Sequence, residues 1–334
     1  MAGIISIFNN KGGVGKTTYV FHVAHILARR GLRVLLVDLD TQGNLTSYCL
    51  SDEQLTAAWG GRGNSIFKVV EPIIRGIGDY DYRAPIDLAY EGGFVSLVPG
   101  DLRLSDFEDF LGDSWNAARG GAEASVRTQT ALNRFIEEAI EETAADVVFI
   151  DLGPNLGALN RSALAISDYF ITPLAPDLFS IQGTENLGSK LSAWQSQWEQ
   201  IRQNWTGEGV SLPSGAPIYL GYVMQMHNMR SRSEQGMTAG WGIYGGRIEA
   251  AVQSNIVDKI GEDRVIRWDD GSYRLGQIPN LHSLIPYSQE ARKPIFDCTG
   301  ADGLRGAHQT KARESLGLFD DIVRTIETVL DDTD

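Results

Sequence analysis

Cysteine is nearly absent. Cys49 and Cys298 are the only two among 334 residues, far apart and outside any C-x-x-C pair. A disulfide framework is therefore not expected, and the composition points to a reducing compartment, the cytoplasm. Long apolar runs are missing too. No stretch reaches the roughly 18–20 residues that cross a bilayer, so no membrane span is expected. The first residues pass straight into a strand pattern, so no signal peptide is expected either. Basic charge is in deficit, with 29 Lys and Arg against 43 Asp and Glu and a net charge of −14. That argues against a protein that coats nucleic acid with its whole surface. The deficit is uneven: residues 215–313 hold twelve Lys and Arg against ten Asp and Glu, and the remainder seventeen against thirty-three. Any basic face is expected in the C-terminal third. Repeats, low-complexity tracts and evident linkers are lacking. A chain of this length buries a large core without a covalent staple.

What is present begins with residues 9–18, Asn-Asn-Lys-Gly-Gly-Val-Gly-Lys-Thr-Thr. They follow a short apolar run at 4–8 that reads as a buried strand, and they precede a helical pattern over 17–30. Strand, glycine-rich turn and helix form the setting of a phosphate-binding loop. Gly12, Gly13 and Gly15 allow backbone conformations that side chains forbid, so successive N–H groups can face an anion. Lys16 is placed to bridge β- and γ-phosphates, and the Thr17 hydroxyl to ligate Mg²⁺. Residues 32–38 form a nearly continuous apolar run, as a parallel strand requires, and lead into Asp38-Leu39-Asp40-Thr41-Gln42-Gly43-Asn44. Residues 145–150 are a second such run, ending in Asp151-Leu152-Gly153-Pro154. Carboxylates that end parallel strands fall on the edge where open α/β sheets bind ligands. Asp151 there reads as a Walker B carboxylate within reach of the Mg²⁺ shell. The pattern as a whole predicts an α/β fold, a mostly parallel, doubly wound sheet flanked by helices.

The loop departs from the general G-x-x-x-x-G-K-[ST] form, because Lys11 stands where the first glycine belongs. A lysine heading a compact GGVGKTT loop is the deviant Walker A motif, and with it the chain resembles the ParA/MinD family of dimerising P-loop ATPases. The segments 34–44, 145–154, 171–183, 218–232 and 281–296 extend the resemblance, with Thr41 replacing the usual proline. The resemblance implies ATP and Mg²⁺ as cofactors and an ATP-dependent homodimer. It casts Lys11, Lys16 and Asp40 as catalytic residues: Lys11 reaching the partner's phosphates, Asp40 positioning the attacking water or touching the metal shell. Residues 11–18, from Lys11 through Gly12, Gly13, Val14, Gly15, Lys16 and Thr17 to Thr18, would cradle the nucleotide. Thr17, Asp40 and Asp151 would serve the metal, and Pro176 and Met226 would lie beside the base.

Paired cysteines of the nitrogenase iron protein type are absent, as is a second P-loop of the arsenite-pump type. The acidic C-terminus opposes a MinD-like membrane helix. With so few residues before the first strand, an N-terminal helix-turn-helix is not expected. Two readings stay open. One is a partition or positioning ATPase whose ATP dimer binds DNA without sequence preference, through Arg230, Arg232, Arg247, Arg264, Arg267, Arg274, Arg292 or Lys293, and is reset when an unidentified protein stimulates hydrolysis. Such a protein would be cytoplasmic and associated with the nucleoid. The other is a ParA-like switch acting on a protein partner without DNA. A metabolic P-loop enzyme is a third. The expected organisation is a single ATPase domain over 1–334, with an insertion near 233–280 and a C-terminal packing helix at 313–330. The stretch from Gly112 to Gly121 reads as a longer loop, and Leu187, Leu191, Trp194 and Trp198 as a stripe for core or dimer packing.

Overall fold

The computed structural model describes residues 2–225, 239–278, 281 and 283–331. The chain starts with β1 (Gly3–Ile7), α1 (Lys16–Arg29), β2 (Arg33–Asp38), α2 (Asn44–Cys49), α3 (Asp52–Trp59) and α4 (Ile66–Ile74). It continues through β3 (Ile86–Asp87), β4 (Phe94–Val98), α5 (Leu104–Arg119), α6 (Glu123–Gln129), α7 (Ala131–Thr143), β5 (Val147–Asp151) and α8 (Ala158–Ile166). Then come β6 (Tyr169–Leu174), α9 (Leu178–Asn204), β7 (Ile218–Gln225), α10 (Ala239–Val252), a π-helical turn (Gln253–Val257), α11 (Asp258–Ile260), β8 (Arg274–Ile278), α12 (Ile285–Ala291) and α13 (Ala307–Asp331).

The strands form one eight-stranded sheet in the order β3-β4-β2-β5-β1-β6-β7-β8. Every neighbouring pair is parallel except β3 and β4. Period-2 alternation sends successive side chains to opposite faces. Ile5, Ile7, Val147 and Phe149 enter a core completed by α1, α2 and α13. Ile4, Phe8, Val148 and Ile150 enter a second core completed by α4, α5, α7, α8 and α9. Strands buried on both faces explain why β1, β2 and β5 read as continuous apolar runs. In register, Ile7 and Asp38 both pair with Asp151, so β1, β2 and β5 end level with one another. That common edge carries the phosphate loop.

Local readings hold where the signal is contiguous. Ser51 and Gln54 form a reciprocal capping box at the start of α3, as their spacing suggests. Pro72 stands inside α4, where its missing N–H removes one i→i−4 bond, and the helix ends two residues later at Ile74. Other segments differ from expectation. Residues 112–119 are not loop but the second half of α5. Phe107, Leu111, Trp115 and Ala118 form a buried stripe along it, and that stripe outweighs the helix-weakening Gly112. Within the stretch taken as an insertion, β8 extends the sheet beyond β7. The C-terminal helix begins earlier than read, at Ala307. Leu187, Leu191 and Trp198 are buried, with Trp194 packed against the same core. That stripe on α9 is internal packing.

Candidate functional site

The loop between β1 and α1 is shaped by two glycines. Gly13 and Gly15 hold φ of 73° and 71°, a left-handed conformation that costs any residue with a Cβ. Gly15 is also the N-cap of α1, so the positive end of that helix opens onto the loop. The Gln225 amide lies where a Cβ at Gly15 would be, its Nε2 1.8 Å from that point. Asn9 braces the loop from below. Its Nδ2 donates to the Pro173 carbonyl at 2.5 Å, and its Oδ1 accepts the Lys11 N–H at 2.9 Å.

Lys16 is buried, and among the described residues its ammonium finds only two long bonds, to the carbonyls of Asn9 at 3.3 Å and Lys11 at 3.4 Å. Burial pulls its pKa below the ordinary lysine value, against the attraction of Asp151 and Asp40. Asp151 is fully buried at the end of β5, and its Oδ2 accepts the Thr17 hydroxyl at 2.7 Å. Its Oδ1 is buried without a hydrogen-bond partner among the described residues. Burial, with the charge of Asp38 beside it, pushes this carboxyl well above the usual range, against the Thr17 bond and Lys16.

Asp38 and Asp40 divide their tasks. Asp38 accepts the Thr46 N–H at 2.8 Å and its hydroxyl at 2.6 Å on one oxygen, and the Asp40 N–H at 3.1 Å on the other. It is a turn-building residue. Asp40 is 5 % exposed and accepts from Gln42 N–H at 3.0 Å and from Asn44 Nδ2 at 3.2 Å. Gln42 and Asn44 thus shape this turn, as the motif implied. Gly153, after Asp151, lies against Asp40: a Cβ there would sit 3.1 Å from Asp40 Oδ1. Lys11, Lys16, Thr17, Asp40 and Asp151 therefore converge on one edge.

The donors suit a magnesium nucleotide. An orphaned buried carboxylate oxygen, a threonine hydroxyl and an under-coordinated ammonium lie beside a backbone nest at a helix N-terminus. No cluster of three His, Cys, Asp or Glu able to ligate a metal occurs among the described residues. A hard cation bound through one or two protein oxygens plus phosphate and water matches that sparse set. Pro176 lies at the same edge, half-buried after β6. Met226, assigned to the base, lies outside the described residues, as do Arg230 and Arg232.

Sequence reading missed Asp177. Its carboxylate forms an ion pair with Lys11 and caps α9. The only sequence signal was an aspartate one residue before a helix. The nominated cations of the C-terminal third are unevenly available. Lys293 pairs with Asp302 at 3.0 Å, and Arg267 Nε donates to the Gly271 carbonyl at 2.8 Å. Arg264 is half-buried, bonded to the Ile260 carbonyl, and lowered in pKa by burial. Arg247 and Arg292 are exposed.

Sheet order, loop and paired edge carboxylates are those of the P-loop nucleoside-triphosphatase fold, with a deviant Walker A loop. The AAA_31 family, described as AAA domain, matches residues 2–203, and the chain belongs to this ParA/MinD-like group of ATPases. It is 32 % identical over 183 residues to the chromosome-partitioning ATPase Soj of Thermus thermophilus, covering 55 % of this chain and 59 % of that protein. It is 31 % identical over 197 residues to protein IncC of Escherichia coli, covering 58 % and 46 %. The matched region thus spans about half the length of these relatives. Among solved structures, a Corynebacterium diphtheriae protein superimposes with a TM-score of 0.68 at 28 % identity, covering 87 % of this chain and 97 % of that one. The pNOB8 ParA bound to nonspecific DNA shares the fold, with a TM-score of 0.57 at 20 % identity over 98 % and 99 % of the two chains. Among the described residues no helix is long and apolar enough to cross a membrane.

Proposed function

We propose that this chain is a cytoplasmic, Mg²⁺-dependent ATPase of the partition or positioning kind, built as a single ATPase domain. Two copies sandwich ATP, the dimer binds DNA without sequence preference, and partner-stimulated hydrolysis returns it to the monomer. The observation that carries the reading is Lys11. It heads a complete phosphate loop, yet its side chain is 27 % exposed at the rim of the site rather than buried beneath it like Lys16. A cation at the rim is placed to act on a second copy's phosphates, where charge develops in phosphoryl transfer. Lys16 and the loop N–H groups would hold the nucleotide, Thr17 and Asp151 would hold the metal, and Asp40 would orient water. Bound there, the metal would supply neutralisation of phosphate charge.

The second reading, a switch on a protein partner without DNA, draws support from the net charge of −14 and from the engaged state of Arg264, Arg267 and Lys293. Asp40→Ala protein separates the two. It is expected to bind ATP, accumulate as a dimer, and retain duplex DNA of arbitrary sequence with ATP but not with ADP. Raising salt from 50 to 200 mM should weaken that binding by roughly a thousandfold if about six phosphates are neutralised. A stable ATP dimer with no DNA affinity at 50 mM salt rejects the DNA reading in favour of a protein partner.

A further inference from the structure

A cavity of 420 Å³ lies between the second half of α1, the end of α2, the β3–β4 connection and the end of α12. None of its lining residues belongs to the phosphate loop, to the turn at 38–44 or to the strand ending at Asp151. One wall is held in place by polar contacts. Arg29 Nε donates to the Tyr90 hydroxyl at 2.6 Å, Tyr90 donates to Asp297 at 3.0 Å, and Arg29 pairs with Asp297. That triangle fixes the Tyr90 ring, which stands edge-on to His25 with centres 4.6 Å apart. Three residues other than glycine hold a positive φ among the described residues, and two of them line this cavity, Ala89 at 49° and Arg292 at 51°. Such conformations cost energy and gather at ligand sites.

Two polar groups of the lining lack a protein partner. His25 is 3 % exposed, and its Nδ1 donates to the Phe21 carbonyl at 2.6 Å, so Nε2 presents a lone pair. No group among the described residues donates to that nitrogen. Burial lowers the imidazole to about 4, against the Phe21 bond, and the lone pair stays unprotonated. Arg292 is exposed on the rim and forms no ion pair among the described residues. Beside it, Lys293 gives one ammonium donor to Asp302 at 3.0 Å and has others to offer. The lining thus sets three cations, Arg29, Arg292 and Lys293, against two carboxylates, Glu91 and Asp297. That balance suits an anion of low charge rather than a triphosphate.

We propose that this cavity is a second small-molecule site, separate from the phosphate loop, and that it takes a nucleoside monophosphate. The phosphate meets Arg292 and Lys293, the base lies along the wall made by Tyr90 and Leu88, and an amino N–H of the base is donated to His25 Nε2. The volume is that of an ordinary ligand pocket. An anion, a flat body and an N–H donor are needed together, and this class carries all three. Inorganic phosphate or a nucleoside carries only part of the set.

The test loads the full chain with one equivalent of Mg²⁺ and ADP, which occupies the phosphate loop, and then titrates AMP, adenosine or inorganic phosphate by calorimetry. AMP is expected to bind at one further site, with adenosine and phosphate each at least about tenfold weaker. Arg292→Gly deletes the guanidinium and relieves the left-handed backbone, so it should weaken AMP by about tenfold while the thermal midpoint holds or rises. His25→Phe keeps an aromatic ring and removes the acceptor, and should weaken AMP by about three- to tenfold. If His25→Phe fails to fold, Arg292→Gly still decides the matter. AMP heats that are unchanged in Arg292→Gly, or that come with release of the loaded ADP, overturn the proposal, as does the absence of binding up to about 5 mM. Phosphate binding as tightly as AMP overturns the nucleotide assignment, and adenosine binding as tightly removes Arg292 and Lys293 from it. A chain that never takes up ADP counts against the proposed function, and the Arg292→Gly difference in AMP binding still tests this site.

Discussion

Two lysines five positions apart in one loop meet different solvents, and their chemistry follows from that. Lys16 sits beneath the loop with carbonyl partners at 3.3 and 3.4 Å, too long to satisfy a buried ammonium. Phosphate oxygens would satisfy it, so its contribution to nucleotide binding should be large. Lys16→Ala is expected to weaken ATP and ADP binding alike by on the order of a hundredfold, about 3 kcal/mol. Titration calorimetry that finds near-wild-type affinity would remove Lys16 from the phosphate site. Lys11 at the rim touches no phosphate of its own subunit in the proposed mechanism. Lys11→Ala should therefore leave monomer ADP affinity within about twofold while the part of the ATPase rate that rises with protein concentration falls by about a thousandfold, the scale of a trans-acting cation. A concentration-dependent rate that survives the substitution would count against the trans role.

Contiguity decided which elements the sequence revealed. The phosphate loop, the turn at 38–44 and the strand ending at Asp151 are each written within about ten residues, and each lies where its pattern placed it. Asp177 escaped notice as a partner of Lys11 because 166 residues separate them and no local period links the two. β8 was lost inside an apparent insertion because a five-residue edge strand, Arg274–Ile278, with only Leu275 and Ile278 well buried, carries little pattern. The second half of α5 was hidden by Gly112, a residue that punctuates loops more often than helices. That glycine offers a test at the element scale. A Cβ at position 112 would meet nothing within 4 Å. Gly112→Ala should then stabilise the protein by about 0.5–1 kcal/mol through helix propensity alone. Gly188 in α9 is the opposite case, since its Cβ would fall 1.7 Å from the Asn255 carbonyl oxygen in the π-helical turn. Here the glycine permits two backbones to touch, and Asn255 Nδ2 bonds Thr184 Oγ1 at 2.9 Å beside it. Gly188→Ala should cost about 1–3 kcal/mol. Urea midpoints that move the same way for both substitutions would refute this account of the two helices.

Across the whole molecule, buried ionisable groups of opposite type lie on either side of the phosphate loop and give pH effects of opposite sign. His22 and His25 are buried in α1, and burial lowers them to about 3 and about 4, against hydrogen bonds to the carbonyls of Thr18 and Phe21. His22 Nε2 accepts the Ile295 N–H at 3.0 Å, and its ring stacks on Phe319 of α13 at 5.0 Å, tying α1 to the C-terminal elements. Each histidine stays neutral in the fold while the unfolded chain takes up a proton near pH 6.5. Their stabilising effect is complete above that pH and is lost as pH falls, at about 1.4 kcal/mol per unit for each. Asp38 and Asp151 behave in reverse. Burial raises them to about 7 and about 8, so the fold holds two protons that the unfolded chain has released. Their contribution is complete below pH 4 and is lost as pH rises through 7 and 8. Between pH 6.5 and 4.5 the two pairs oppose each other proton for proton. Asp151→Asn removes one of the protons held by the fold and leaves one histidine uncompensated. Relative to wild type, this variant should be the more stable at pH 8.5, where a buried negative charge has been deleted. Its advantage should shrink by about 1.4 kcal/mol for each pH unit below 8, while metal-dependent turnover is lost throughout. Groups that do not interact with Asp151 cancel in the difference. Denaturation curves for the two proteins that remain parallel from pH 8.5 to 5 would show that Asp151 carries no proton in the fold.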